Sequence, residues 1–186
     1  MQNIFYIVYL GWVLSEVILN RVLRAGQGDK KPEGKHSLTY IWVTAIIATV
    51  AAQLIARHTY FPLAKSAFVG ITGLVLILLG MAFRFVAIAS LGRFFTVNVA
   101  IREGHTIKKD GMYRLIRHPA YTGSLLSFLG FGVSVNNWIS LVVAFVPVVV
   151  VFLYRIQIEE EMLTAGLGGA YEEYKRGTYR LIPWVY

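Results

Sequence analysis

Long apolar blocks separated by polar stretches dominate the pattern along this chain. Five blocks stand out, at residues 4–19, 38–56, 66–91, 120–135 and 138–154. A helix needs roughly 20 apolar residues to cross the hydrocarbon layer of a bilayer. The first and fourth blocks are short, so tilt or local thinning of the bilayer is needed for them to span. The pattern predicts an all-α polytopic membrane protein with five transmembrane helices, in a single domain over residues 1–186.

A soluble bundle of buried helices is the alternative interpretation of these blocks. Such helices need a polar face toward water, and residues 69–82 have almost no polar side chain. The mean hydropathy of +0.59 and the apolar share of 56% also exceed those of ordinary soluble domains. The first block lacks the basic start and cleavage site of a signal peptide, and Glu16 and Asn20 close it. We therefore expect it to be a retained span.

Positive charge gathers on one side of the predicted spans. Fifteen of the 18 lysines and arginines lie in three segments on that side, whereas Arg57 and Lys65 lie on the other and Arg84 lies inside the third span. Cytoplasmic loops carry such an excess, so the N-terminus is predicted outside and the C-terminus in the cytoplasm. Basic loops also suit anionic lipid headgroups. The basic segments contain Arg21, Arg24, Lys30, Lys31 and Lys35, then Arg93, Arg102, Lys108, Lys109, Arg114 and Arg117, then Arg155, Lys175, Arg176 and Arg180.

Composition and motifs exclude several kinds of site. The net charge of +8 could indicate nucleic-acid binding, but its placement in membrane-flanking segments favours lipid. Without cysteine, the chain has no disulfide, thiol nucleophile or thiolate metal site. The four histidines follow no metal-binding pattern, and no phosphate loop or dinucleotide fingerprint occurs. We expect neither a nucleic-acid partner nor a metal.

Two polar segments are predicted to meet on the cytoplasmic side. Residues 92–119 form a long connection, and long ordered loops are often functional. Residues 155–186 continue the fifth span into charged, aromatic-rich sequence on the same side. Asn136 and Asn137 leave only a tight turn between spans four and five, which predicts a helical hairpin. Small residues in span four, at Gly123, Ser127 and Gly130, favour close helix packing.

The start of span four carries the first candidate chemistry. Pro119 suits the first turn of a helix, where its missing N–H costs nothing. The unpaired amides there favour an anion. Arg117 and His118 directly precede Pro119, so they lie at the same helix start. The simpler interpretation is that Arg117 contacts lipid phosphates and His118 caps the helix.

The end of span five carries the second group of residues with candidate chemistry. Arg155 and Glu159 are four residues apart, so they share a helix face. They form either a surface ion pair or a functional site, because charges at the membrane boundary favour function. Arg84 either extends to the interface, the favoured interpretation, or points into a polar cavity.

These motifs together resemble the isoprenylcysteine carboxyl methyltransferase family. The resemblance lies in Arg117-His118-Pro119-x-Tyr121-x-Gly123, the predicted hairpin, Arg155-x-x-x-Glu159-Glu160 and Tyr171-x-x-Tyr174. It runs from about residue 84 to residue 186, and the first two spans match only in general character.

The resemblance implies methyl transfer from S-adenosylmethionine to the carboxylate of a prenylated cysteine or similar lipid acceptor. It places the cofactor site at the cytoplasmic face, between the loop before span four and the C-terminal segment, without a Rossmann domain. It implies catalytic roles for Arg155 and Glu159, with Arg155 on the acceptor carboxylate. The implied cofactor-binding residues are Asn98, His105, Thr106, Ile107, Lys108, Tyr113, His118, Pro119, Ala120, Tyr121 and Glu159.

The chemistry of methyl transfer agrees with these residue types. A carboxylate is already a nucleophile at neutral pH, so the enzyme must mainly position and desolvate the reactants. Arg155 can hold a carboxylate in a planar fork. Glu159 can accept from amino or hydroxyl groups of the cofactor, and aromatic faces such as Tyr113 and Tyr121 suit a sulfonium. Helix-end amides and His118 can take the cofactor's carboxylate.

Three alternatives stay open. A phospholipid N-methyltransferase shares the motif style, and its amine acceptor would need a base such as Glu159. A sterol-reductase-like NADPH enzyme has a similar Arg-His-Pro segment and an end like Tyr179-Arg180-Leu181-Ile182-Pro183-Trp184, but this chain is short for its extra spans. A non-enzymatic membrane protein of the same fold would bind lipid without catalysis.

Overall fold

The computed structural model describes residues 2–23, 36–66, 68–92, 95 and 106–186. Within these ranges the structure is helical, without a named β-strand, which confirms the all-α prediction. The helices are α1 (Gln2–Val22), α2 (Ser37–His58), α3 (Phe68–Leu91), α4 (Pro119–Ser134), α5 (Trp138–Leu167) and α6 (Gly169–Arg176). A 3-10 turn at Gly111–Arg114 precedes α4.

Four of the described helices, α1, α2, α3 and α5, are long and apolar enough to cross a membrane. The polytopic prediction is thus confirmed for four spans. The fourth predicted block forms α4, which has only 16 residues and falls short of the roughly 20 that a span needs. Helix α5 continues past residue 154, the predicted end of the fifth span, to Leu167. Residues 155–167 are rich in good helix formers, and Gly168 ends the helix at φ 58°.

Helices α3 and α4 pack with their backbones in contact. A Cβ added at Gly123 of α4 would lie 2.7 Å from the backbone N of Arg84 and 2.8 Å from the carbonyl O of Gly80. Gly130 faces Gly73 in the same way, with 2.7 Å to its carbonyl O. Small residues allow this approach, so the predicted close packing of the fourth helix is confirmed. It places Arg84 beside the start of α4.

The turn between α4 and α5 is a tight hairpin, as predicted. Asn136 adopts a left-handed φ of 53°, and the side chain of Asn137 accepts from Ser140 N at 3.1 Å to cap α5. Asn137 Nδ2 also donates to Thr59 O at 3.1 Å, and Ser140 Oγ donates to Ala52 O at 2.8 Å. These bonds tie the hairpin to the end of α2.

A shared core lies between α1 and the α3–α5 helices, and the outward faces are apolar. Trp12, Ile77, Phe131 and Val148 are buried together. Large apolar side chains such as Ile7, at 68% exposure, cover the outer faces of α1, α2 and α5. Contiguous apolar surface of this kind is rare on soluble proteins and suits contact with lipid tails.

The chain after α5 folds back onto the segment before α4. We call residues 168–186 the tail. Arg117 N donates to Tyr179 O at 2.9 Å, and Tyr179 N donates to Leu115 O at 2.9 Å, in a single parallel bridge. Tyr174 Oη donates to Tyr113 O at 2.6 Å. The two polar segments that were predicted to meet therefore do meet.

The contact between α3 and α4 leads to a first prediction. Gly123→Leu should lower the stability of the protein in detergent by at least about 2 kcal/mol, because the added side chain would separate two backbones. Gly11→Leu is the matched control, since a Cβ at Gly11 meets nothing within 4 Å. Thermal unfolding followed by circular dichroism measures both variants, and equal melting temperatures for the two would contradict the packing described.

Candidate functional site

Tyr121 connects the two residues of α5 that the sequence singled out. Its hydroxyl donates to Glu159 Oε2 at 2.6 Å and accepts from Arg155 Nε at 3.4 Å. Arg155 and Glu159 lie one turn apart on α5, so the predicted shared face is confirmed. We call these three residues the Tyr121 hub. The hub presents a cation and a carboxylate on either side of one phenol.

Helix packing fixes both sides of the hub. Arg155 is only 3% exposed, and its Nη1 donates to Ser37 Oγ at the start of α2. The Tyr121 ring stacks on His118, with 5.6 Å between centroids, and meets Phe152 edge-on at 5.4 Å. A guanidinium that hydroxyl groups solvate inside the protein keeps its charge and its orientation.

A cavity opens beside the hub. It lies between α1 and α2, each of which packs on a different partner, α1 on α3 and α2 on α5. We call it the α1–α2 cavity. Its polar end contains Glu16, Asn20, Arg84, Tyr121 and Arg155. The rest is mostly apolar and is formed by Trp12, Val13, Leu38, Ile41, Trp42, Ala45, Ile46, Thr49, Phe95, Ser124, Phe128 and Phe152. A cavity with one charged end and a long apolar body fits an amphiphile.

Arg84 points into this cavity. Its Nε lies 2.9 Å from Glu16 Oε1, and its Nη1 donates to Ala120 O at 3.1 Å. The favoured expectation that Arg84 extends to the membrane interface was wrong, because an acidic residue of α1 and a helix-start carbonyl hold it inside the bundle.

Glu160 gathers three basic side chains, and we call this group the Glu160 clamp. Its Oε1 lies 2.6 Å from Arg117 Nε and 3.2 Å from His118 Nε2, and its Oε2 lies 3.0 Å from Arg180 Nη2. Glu160 is 3% exposed. Arg117 also donates to Thr178 O. The clamp therefore joins α5, the segment before α4 and the tail.

Two simpler expectations for the start of α4 were wrong. Arg117 was expected to contact lipid phosphate, but it contacts Glu160 and the tail. His118 occupies the N-cap position of α4, but its side chain makes no capping hydrogen bond. The carboxylate of Glu160 binds both basic side chains, because charge-assisted hydrogen bonds are stronger than the neutral capping bond that His118 would otherwise make.

Two buried tyrosines, Tyr113 and Tyr171, lie near enough to Glu159 to sense its charge. Tyr113 Oη donates to Ala87 O at 3.3 Å, and Tyr171 is 3% exposed. Burial, and after it the negative charge of Glu159, raises the pKa of Tyr113 and of Tyr171 above the usual value. Both phenols therefore stay protonated at neutral pH. A carboxylate among neutral aromatic rings suits a cationic ligand that carries hydrogen-bond donors.

The other predicted cofactor residues vary in position. Asn98 and His105 lie outside the described residues. Thr106 is exposed, Ile107 is half-buried, and Lys108 Nζ lies 2.7 Å from Asp110 Oδ1. Pro119 and Ala120 are buried at the start of α4 and hold Tyr121 and His118 in place. The structure brings together the hub, His118 and the tyrosines around Glu159.

Sequence reasoning missed Glu160, Arg180 and Glu16 as parts of the site region. Glu160 stands in the quoted Arg155-x-x-x-Glu159-Glu160 motif, which was a usable signal. Glu16 was read only as a polar end to the first span. Its pairing with Arg84 depends on how α1 packs on α3, and the sequence pattern contains no signal for that.

Comparisons with known proteins agree on one family. The sequence profile of the isoprenylcysteine carboxyl methyltransferase family matches residues 73–165. Protein-S-isoprenylcysteine O-methyltransferase B of Arabidopsis thaliana is 35% identical over 136 residues, which cover 72% of this chain and 69% of that protein. The protein-S-isoprenylcysteine O-methyltransferase of Saccharomyces cerevisiae is 30% identical over 62% of this chain and 49% of that protein.

A solved structure shares the fold. It is the eukaryotic intramembrane Ras methyltransferase, isoprenylcysteine carboxyl methyltransferase, with a TM-score of 0.62 at 22% identity. The match covers 82% of this chain and 54% of that one. The chain thus spans about half to 69% of the length of the relatives described here. The profile match includes the hub and Glu160, and leaves α1, α2 and the whole tail outside.

The Glu160 clamp leads to a second prediction. Glu160→Gln should lower stability by about 3 kcal/mol and release the tail, because three basic groups lose a buried counter-charge. Limited proteolysis followed by mass spectrometry measures cleavage after residue 167. Glu161→Gln is the control, since Glu161 is exposed and contacts only Gln157 among the described partners. Equal cleavage rates in the two variants would show that the clamp does not hold the tail.

Proposed function

Since this chain belongs to the isoprenylcysteine carboxyl methyltransferase family, we propose that it transfers a methyl group from S-adenosylmethionine to the carboxylate of a prenylated cysteine or similar lipid acceptor. The observation that carries the proposal is Arg155, which lies buried at the polar end of a long apolar cavity. The names of the relatives, which describe methyl transfer to protein S-isoprenylcysteine, support the same acceptor.

The α1–α2 cavity receives the acceptor in this proposal. The guanidinium of Arg155 binds the acceptor carboxylate in a planar fork, with Tyr121 and Ser37 holding its orientation. The prenyl chain lies along apolar residues of α1 and α2, such as Trp42 and Ile46. The chain enters sideways from the bilayer between these two helices, and a prenylated peptide extends toward the polar end.

The cofactor binds on the other side of Tyr121, around Glu159. The donor set fits this assignment, because a carboxylate and several neutral tyrosine rings suit the amino and hydroxyl donors and the cationic sulfur of S-adenosylmethionine. When bound, the cofactor supplies an electrophilic sulfonium methyl. The residues that we propose for cofactor binding, besides Glu159, are Asn98, His105, Thr106, Ile107, Lys108, Tyr113, His118, Pro119, Ala120 and Tyr121.

The residues of the hub position the reactants and exclude water. A carboxylate acceptor is ionised at neutral pH, so no side chain has to remove a proton. Arg155 directs one carboxylate oxygen toward the cofactor side, and Glu159 fixes the cofactor there. The shared hydrogen bonds of Tyr121 keep both residues in register. Holding two reactants in line is where most of the rate enhancement comes from.

The finer topology is part of the proposal. The 16 residues of α4 serve as a fifth span, because much of the helix is buried between α3 and α5 and needs little contact with lipid. The excess of basic residues then places the N-terminus outside and the C-terminus, the tail and the cofactor site at the cytoplasmic face. The whole chain acts as a single membrane domain.

The third prediction concerns Arg155. Arg155→Ala should lower kcat/KM for a prenylcysteine acceptor by about 100-fold, because the acceptor carboxylate loses its counter-charge, whereas the Kd of the cofactor should change little. Arg155→Lys keeps the charge but loses the fork, so its loss should be smaller. Transfer of labelled methyl in detergent, with release of the label by alkali, measures the ester product. Arg176→Ala, at an exposed position on α6, is the control.

The companion variant is Glu159→Gln. It should weaken cofactor binding by about tenfold and leave the KM for the acceptor nearly unchanged, because Glu159 lies on the cofactor side of Tyr121. Alkali-stable product would point to an N-methyl acceptor and contradict the carboxylate assignment. Full turnover by both Arg155→Ala and Glu159→Gln would contradict the assigned site.

A further inference from the structure

One face of α1 supplies polar groups to the α1–α2 cavity. Trp12, Glu16 and Asn20 are spaced four residues apart, so they lie on the same side of the helix. All three line the cavity. The family profile begins at residue 73, so this face lies outside the matched region. The contribution of α1 to the cavity is therefore seen in the structure and is not described by the family profile.

The carboxylate of Glu16 neutralises a second arginine in the cavity. Arg84 Nε lies 2.9 Å from Glu16 Oε1, and the side chains are 11% and 22% exposed, respectively. Burying a charge without a partner is costly, so the pair removes the charge of Arg84 from the cavity. Among the described residues that line the cavity, Arg155 is the other basic side chain.

The neighbours of Glu16 are suited to neutral polar groups. Within the described part of the chain, Trp12 Nε1 and Asn20 Oδ1 are buried and have no hydrogen-bond partner, and Arg84 Nε makes an ion pair with Glu16 at 2.9 Å without an aligned hydrogen bond. Trp12 as a whole is 5% exposed. Buried polar atoms are nearly always paired in folded proteins. The donor, Trp12 Nε1, lies one helical turn before Glu16, and the acceptor, Asn20 Oδ1, lies one turn after it. Such a pair fits an amide group. An acylated or peptide-linked cysteine carries an amide next to its carboxylate.

We propose that Glu16 sets the charge of the acceptor that this cavity takes. Because Glu16 neutralises Arg84, the cavity selects a lipid with a singly charged carboxylate head and rejects a doubly charged head such as a monophosphate. A dianion would bring a second negative charge next to Glu16, with only part of it compensated. This inference rests on the proposed function and specifies its substrate class.

The test compares two lipid ligands with the same prenyl chain. One is an N-acetylated prenylcysteine, with one carboxylate, and the other is a prenyl monophosphate, which is a dianion at pH 8 because its second pKa is about 6. Calorimetry in detergent gives both Kd values for the wild type and for Glu16→Gln. The wild type should prefer the carboxylate by at least about tenfold, and Glu16→Gln should tighten the monophosphate by at least about tenfold. The Kd of the carboxylate should change by less than about threefold.

Three further variants keep the test decisive. Glu161→Gln removes one exposed carboxylate and should leave both Kd values unchanged. Glu16→Gln combined with Arg84→Gln removes both charges of the pair, so its preference should return to that of the wild type. If Glu16→Gln alone fails to fold, Arg84→Gln serves instead, and it should weaken the monophosphate by at least about tenfold because Glu16 is then uncompensated.

The outcomes separate the inference from the proposed function. An unchanged ratio of the two Kd values in Glu16→Gln, or an unchanged monophosphate Kd in Arg84→Gln, overturns the role of Glu16 even where the wild type methylates prenylcysteine. A wild type that neither binds nor methylates prenylcysteine overturns the proposed function. The monophosphate comparison still tests the role of Glu16 in that case, since it measures binding without turnover.

Discussion

Charged side chains inside an apolar bundle need partners, and this constraint organises the polar end of the protein. Arg84 of α3 is held by Glu16 of α1 and by the carbonyl of Ala120 at the start of α4. Arg155 of α5 is held by Tyr121 of α4 and Ser37 of α2. Glu160 joins α5 to the segment before α4 and to the tail. Arg84, Arg155 and Glu160 thus link helices α1 to α5 and the tail in one layer.

The close contact of α3 with α4 makes that layer possible. Because Gly123 lets the two backbones touch, the short helix α4 lies deep in the bundle, and its first turn reaches the charged layer. Tyr121 on that turn then separates the apolar cavity from the tyrosines around Glu159. A lipid can therefore approach Tyr121 from the apolar cavity, and a water-soluble ligand can approach it from the side of Glu159. A lipid carboxylate and a water-soluble methyl donor need such an arrangement.

Local sequence information predicted the helices and the hub face, because both follow from helical periodicity. Arg155 and Glu159 share a face of α5 because they are four residues apart, whatever the helix packs against. The small residues of α4 predict close packing with another helix. The helix ends were less predictable. Helix α5 continues beyond residue 154, because the residues that follow are polar enough to lie in water and are also good helix formers. The clamp at Glu160 and the pair between Glu16 and Arg84 join residues far apart in sequence. Charge alone does not identify the partner of each side chain, so Arg84 was assigned to the membrane interface, Arg117 to lipid phosphate and His118 to a helix cap.

The central claim is that Tyr121 couples the acceptor site to the cofactor site. Its most direct test is the affinity for a prenylcysteine acceptor with and without bound S-adenosylhomocysteine, in the wild type and in Tyr121→Phe. The account predicts that this bound product changes acceptor affinity by at least about fivefold in the wild type, and that Tyr121→Phe reduces this coupling to less than about twofold. Coupling of the same size in Tyr121→Phe would contradict the account.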